Sequence, residues 1–105
     1  MNELWDLLIS KLRDNPQEFP TTPRTNKTPV WFRAYSDGYA IYVSNARVHK
    51  PSSKIKGQRT LTYEEFLRMY PIYLRRQAGK SVSTEAAEAS YNQVYWYSLI
   101  KYCIT

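Results

Sequence analysis

The residues best suited to binding chemistry are aromatic rings that alternate with an arginine. Trp31, Arg33 and Tyr35 are spaced two apart, and Tyr42 follows after an Asp-Gly pair. A spacing of two puts side chains on one face of a β-strand. Rings stack on flat ligands and a guanidinium binds phosphate or carboxylate, so this face would suit a ligand with both features.

A basic segment follows this pattern in the chain. Residues 47–59, "RVHKPSSKIKGQR", contain one histidine and no acidic residue. The basic residues of this segment are Arg47, Lys50, Lys54, Lys56 and Arg59. Pro51 and Gly57 favour a mobile loop, although lysines on both sides of Ile55 would also suit a short third strand at 54–56.

The net charge of +6 is concentrated in the middle of the chain. Residues 19–61 contain eight basic residues, including Arg24, and Asp37 as the one acidic residue. This local positive field favours polyanions such as DNA or RNA, and it would attract an acidic protein surface equally well.

Catalytic constellations are missing from the sequence. His49 is the one histidine and Cys103 the one cysteine, and no recognisable motif places a nucleophile beside the imidazole. No carboxylate pair has the spacing of metal ligands. We therefore expect a protein that is not an enzyme and that uses no metal or cofactor.

Cysteine content and hydropathy bear on the compartment. One cysteine cannot form an internal disulfide, which favours a reducing, cytoplasmic location. No stretch approaches the roughly 18 apolar residues of a membrane span, so no membrane association is expected. A length of 105 residues predicts a single domain, 1–105, and leaves the oligomeric state open.

The first part of the chain predicts a helix, a connector and a hairpin. Asn2 can cap a helix that runs to about Arg13, and residues 16–29 form a proline-rich extended connector that Phe19 could anchor. Asp37 and Gly38 favour a two-residue type I′ turn, which pairs Ser36 with Tyr39. The predicted core face holds Val30, Phe32, Ala34, Tyr39, Ile41 and Val43. The opposite face holds Trp31, Arg33, Tyr35, Tyr42 and Ser44.

The second part predicts two helices. Thr62 and Glu65 have capping-box spacing, and Gly79 ends the helix that they begin. Ser83 would cap a last helix that runs to about Cys103. Helix, hairpin, helix and helix without strand-helix-strand alternation is the order of an α+β fold.

Two interpretations of the outer hairpin face remain open at this stage. A helix could cover its rings, or the rings could form an exposed platform.

The leading hypothesis is a small non-catalytic nucleic-acid-binding protein that uses this face and the basic segment. The alternative is a protein-interaction module or inhibitor that docks on an acidic or nucleic-acid-processing partner. A helix-turn-helix in residues 75–97 is disfavoured because Glu85 and Glu88 would face phosphates.

Overall fold

A computed structural model describes residues 2–23 and 26–104, so that Arg24 of the basic region lies outside the described residues. The fold is α+β, as the order of elements predicts. The helices are α1 (Glu3–Leu12), α2 (Tyr63–Gln77), α3 (Ser83–Ala89) and α4 (Gln93–Cys103). The strands are β1 (Gln17–Pro20), β2 (Trp31–Ser36), β3 (Ile41–Asn45) and β4 (Arg59–Leu61).

The strands form one antiparallel sheet in the order β1-β2-β3-β4. The hairpin is therefore the centre of a four-stranded sheet. The strand that follows the hairpin lies at Arg59–Leu61, and not at 54–56, where the sequence left a short strand open as an alternative to a loop.

Strand β1 comes from the proline-rich connector. Phe19 pairs with Phe32 of β2 and is 7% exposed, which confirms its role as an anchor. Pro20 ends the strand at the edge of the sheet, where its missing N–H leaves no ladder hydrogen bond unmade.

The hairpin turn is longer than the sequence predicts. Ser36 pairs with Ile41, so four residues, 37–40, connect the strands instead of two. Asp37 Oδ1 accepts hydrogen bonds from the N–H groups of Tyr39 (2.9 Å) and Ala40 (3.1 Å). The Ser36 hydroxyl donates to the Ala40 carbonyl at 2.7 Å and accepts from the Gly38 N–H at 3.0 Å. These side-chain bonds stabilise a wider loop than a type I′ turn.

The change of register keeps the faces of the strands but moves Tyr39. Each residue of β2 pairs two positions further along than predicted, and an even shift leaves every side chain on its face. Tyr39 falls in the loop and is 87% exposed, so its prediction as a core residue is wrong.

The helices pack against one face of the sheet. Phe32, Ala34, Ile41, Val43 and Leu61 belong to the same buried cluster as helical residues such as Leu8 and Trp96. The Phe32 ring meets the edge of the Tyr95 ring of α4 at a centroid distance of 5.0 Å. The core therefore lies between the sheet and the helical layer.

The first two helices follow their sequence signals. The Asn2 side chain accepts hydrogen bonds from the N–H groups of Leu4 (2.9 Å) and Trp5 (3.3 Å). The Thr62 hydroxyl accepts from the Glu65 N–H at 3.4 Å, and α2 continues through Pro71 to Gln77.

The predicted last helix is interrupted at Ser90–Asn92. Ser90 is extended, with φ −164° and ψ 142°, and its hydroxyl donates to the Glu65 carboxylate of α2. The same hydroxyl accepts from the Asn92 N–H at 2.9 Å. A long-range contact thus ends α3 and begins α4, and Ser83 is the first helical residue of α3 and not its cap. None of the helices in the described part of the chain is long and apolar enough to cross a membrane.

The hairpin register predicts different effects on stability for substitutions at Phe32 and at Tyr39. Phe32→Ala should lower the free energy of unfolding by about 3–5 kcal/mol, because it empties a fully buried position in the core. Tyr39→Ala should change it by about 0.5 kcal/mol or less, because the ring lies in solvent. Urea unfolding of both variants checks this, and similar losses in the two would contradict the observed register.

Candidate functional site

The face of the sheet away from the helices carries the rings that the sequence singles out. We call it the outer face and define it by Glu18 of β1, Trp31, Arg33 and Tyr35 of β2, and Tyr42 and Ser44 of β3. Its rings, Arg33 and Ser44 are partly exposed. Because the helices pack on the other face, the structure favours the exposed platform over the alternative interpretation, in which a helix covers these rings.

Trp31 stacks on His49. The two rings are nearly parallel, with centroids 3.9 Å apart and planes 11° apart. The backbone holds this contact, since the Trp31 N–H donates to the Pro51 carbonyl and the Ser53 N–H donates to the Trp31 carbonyl, both at 2.8 Å. The middle of the basic segment, residues 51–53, is therefore paired with β2 beside the ring.

The Glu18 carboxylate organises the turn that carries His49. It accepts hydrogen bonds from three successive backbone N–H groups, those of Arg47 (2.7 Å), Val48 (3.2 Å) and His49 (2.9 Å). His49 Nδ1 lies 2.8 Å from Glu18 Oε1, and an ionised carboxylate can only accept, so Nδ1 donates. The Glu18 side chain is only 8% exposed.

These bonds determine the ionisation of Glu18. Burial would raise the pKa of the carboxyl group, but the N–H donors of residues 47–49 and the His49 ring outweigh it and lower the pKa to about 2. Glu18 is therefore a carboxylate at neutral pH, with its oxygens already occupied by donors.

Tyr35 and Tyr42 form a second ring group on the outer face. They are cross-strand partners with centroids 5.3 Å apart and planes tilted by 35°. The Tyr35 hydroxyl donates to Gln58 Oε1 at 3.2 Å, and the Tyr42 hydroxyl donates to Asp37 Oδ2 at 2.7 Å. The bond from Tyr42, with those from the Ala40 and Tyr39 N–H groups, lowers the pKa of Asp37 to about 2, and it raises the pKa of Tyr42.

Arg33 lies between the two ring groups along β2. Its neighbours across the sheet are Glu18 and Ser44. Its guanidinium makes no hydrogen bond or ion pair with any residue in 2–23 or 26–104. Since an arginine without a partner is costly to enclose, its position at a partly exposed face is where it can keep its hydration.

Hydrogen bonds to its backbone hold the basic segment against the sheet. Asn45 holds Ile55 with two bonds, donating to its carbonyl at 2.9 Å and accepting from its N–H at 2.7 Å, and the Ile55 side chain is buried. The side chains of Arg47, Lys50, Lys54 and Lys56 are exposed, and within the described chain none of them makes a hydrogen bond or ion pair. The loop predicted to be mobile is thus tied to the sheet at three places, by Glu18, Trp31 and Asn45.

Arg59 does not belong to this site. It pairs with Val43, whose side chain is in the core, so Arg59 faces the helical side. Its guanidinium donates to the Tyr91 carbonyl and to Asn92 Oδ1, both at 3.3 Å, and lies 5.8 Å from the centre of the Tyr95 ring. Arg59, which the sequence groups with the other basic residues, is therefore directed away from the outer face, because residues that pair across a sheet share a face.

Two contributors to the site carry little signal in the sequence. Glu18 lies in a proline-rich connector, and its partners are 29 to 31 residues away. His49 is conspicuous as the one imidazole, but nothing local indicates that it lies on Trp31. The alternation of residues in a strand next to β2 could have placed Glu18 on the outer face, had β1 been predicted as a strand.

A cavity of about 190 Å³ lies elsewhere, between α4 and the end of β1. Its lining includes Val30, Val94 and Tyr97. Arg76 lies over the Tyr97 ring at 4.2 Å and donates to the Thr22 carbonyl at 2.7 Å. The cavity is smaller than the roughly 300–1,000 Å³ of usual ligand pockets, and its cation is engaged in packing.

Cys103 is buried in α4, and burial raises the pKa of its thiol to about 11. Groups of three or more His, Cys, Asp or Glu residues placed to hold a metal ion are absent from residues 2–23 and 26–104. Comparison of the chain with protein-family models, curated proteins and solved structures finds no match. Its function is therefore inferred from its own residues.

The occupied Glu18 carboxylate predicts how stability changes in acid. Its pKa is lower in the folded chain than its ordinary value of 4.5, so the stabilisation is present above pH 4.5 and is lost as pH falls towards about 2. Glu18→Gln should be less stable than the wild type at neutral pH, and it should lose less further stability across this window.

Urea unfolding at a series of pH values measures this difference. Glu64→Gln, at an exposed position in the first turn of α2, is the matched control and should follow the wild-type profile. Parallel profiles for Glu18→Gln and the wild type would contradict the role given to the carboxylate.

Proposed function

We propose that this protein binds nucleic acid, without catalysis, through the outer face and the basic segment. Phosphates would contact Arg33, Arg47, Lys50, Lys54 and Lys56, and the rings of the outer face would contact bases. The single observation that carries the proposal is Arg33, which lies between two ring groups on a face that the helices leave open and whose guanidinium has no partner within residues 2–23 and 26–104.

Charge supports a polyanionic ligand. The basic segment, which is tied to the sheet through Glu18, Trp31 and Asn45, carries four exposed cations, and the chain contains no acidic residue between Asp37 and Glu64. The two carboxylates at the edges of the outer face, Glu18 and Asp37, are bonded to donors of the protein. A phosphate backbone is the ligand whose affinity such a set of cations dominates.

The rings support contact with bases in addition to phosphates. Trp31, Tyr35 and Tyr42 are partly exposed, although removal of an aromatic ring from water is favourable. Stacking on bases recovers about 1–3 kcal/mol for each ring and needs no particular base. Recognition would therefore depend on charge and shape more than on sequence.

Salt dependence tests the proposed phosphate contacts. If the five cations each contact a phosphate, the logarithm of the binding constant should fall with the logarithm of salt concentration at a slope of about −3.5 for single strands. Lys54→Gln combined with Lys56→Gln should make this slope shallower, at about −2.1, because two of the five contacts are removed. Fluorescence anisotropy with labelled DNA and RNA oligonucleotides measures both quantities.

The matched control removes the same charge elsewhere. Lys11→Gln combined with Lys80→Gln changes an exposed lysine in the last turn of α1 and another that follows the end of α2. It should leave the slope close to the wild-type value. Equal effects of the two double variants would show attraction by net charge alone, and no binding to any nucleic acid at low salt would refute the proposal. Co-purification with one acidic protein would then favour the alternative of a protein partner.

A further inference from the structure

The two ring groups of the outer face are far apart on the scale of nucleotides. Trp31 with His49 forms one group, and Tyr35 with Tyr42 forms the other. Trp31 and Tyr35 are four residues apart on one strand, which corresponds to about 13 Å. Bases along one strand of a duplex are separated by only about 3.4 Å.

Each group keeps exposed ring surface that could stack on a base. Trp31 covers one face of the His49 imidazole, and 46% of the His49 side chain remains exposed. Tyr35 and Tyr42 are tilted by 35° and both are partly exposed. His49 therefore adds an exposed ring to the Trp31 group, and the tyrosine pair presents a second surface.

A duplex cannot use these surfaces. Its bases are stacked on each other on both faces, so they would have to be unstacked before they reached a protein ring. In an extended single strand the bases can splay apart and stack on separate rings. Two ring groups about 13 Å apart, almost four times the separation of stacked bases, therefore need a strand whose bases are unstacked, and the two bases that reach them need not be neighbours.

Arg33 occupies the space between the two groups. It is two residues from Trp31 and two from Tyr35 on the same face of β2. Its guanidinium, which has no partner in the described chain, can donate two parallel hydrogen bonds to a phosphate in the stretch of backbone between the two stacked bases. The exposed cations of the basic segment can contact the phosphates on either side.

We infer that the outer face selects single-stranded nucleic acid, with one base stacked on His49, another on the Tyr35–Tyr42 pair, and Arg33 on the backbone between them. The inference rests on the proposed function and names the class of ligand for the same site. Because every base has a flat face, strong preference for one sequence is not expected.

Competition among ligands tests the inference on the wild-type protein. A labelled oligo-dT is bound at fixed salt and displaced by unlabelled oligo-dT, by oligo-U, or by duplex DNA with the same number of phosphates. Single strands should compete at least about tenfold better than the duplex, since stacking adds to a phosphate contribution that both share. The oligo-dT and oligo-U arms distinguish DNA from RNA.

A pair of variants at one position tests the stacking itself. Tyr35→Leu removes the ring but retains an apolar side chain, and it should weaken single-strand binding by about 5- to 150-fold. Tyr35→Phe keeps the ring and loses only the hydrogen bond to Gln58, so its affinity should stay close to that of the wild type. Neither substitution removes a charge, so the salt slope should not change in either variant.

The outcomes separate the inference from the proposed function. Equal or better competition by the duplex, or unchanged single-strand affinity in Tyr35→Leu, overturns the selection of single strands while binding of nucleic acid stands. No binding of any oligonucleotide at low salt overturns both. Circular dichroism confirms that the variants are folded, and the competition experiment with the wild type decides the matter even where a variant does not fold.

Discussion

The outer face depends on the hydrogen bonds that the carboxylate of Glu18 accepts. This carboxylate accepts three successive backbone N–H groups from residues 47–49 and the Nδ1–H of His49, and it does so from the edge strand of the sheet. Each N–H in such a turn would need another acceptor if the carboxylate were absent. This one side chain therefore fixes the start of the basic segment and holds His49 against Trp31.

The one-sided arrangement of the fold leaves this face open for binding. The helical layer and the inward side chains of the sheet form one core, which includes Phe32 and Trp96. Side chains alternate along a strand, so a sheet buried on one face presents every second residue on the other. The rings and Arg33 lie at these outward positions, and the basic segment is tied to the sheet by Glu18, Trp31 and Asn45.

Sequence patterns within a few residues of each other predict the class of the fold, the helix caps and the faces of the hairpin strands. The α+β class, the Asn2 and Thr62 caps and the faces of the hairpin follow from capping chemistry and a period of two. The predicted two-residue turn is wrong because the Ser36 and Asp37 side chains stabilise a wider loop than Asp-Gly alone indicates. The break at Ser90 and the position of Arg59 depend on contacts with distant elements, through Glu65 and through the register of β4. Within the candidate site, Trp31, Arg33, Tyr35 and Tyr42 were predictable by alternation, but Glu18 was not, because its bonds span about 30 residues.

Photo-crosslinking of the wild-type protein to a single-stranded oligonucleotide, followed by mass spectrometry of the peptides, tests the central claim most directly. We predict crosslinks on the peptides that contain Tyr35, Tyr42 and His49, and their loss when unlabelled single strand is added in excess. Crosslinks concentrated on α2, α3 or α4, with none on the hairpin or on residues 46–58, would contradict the account.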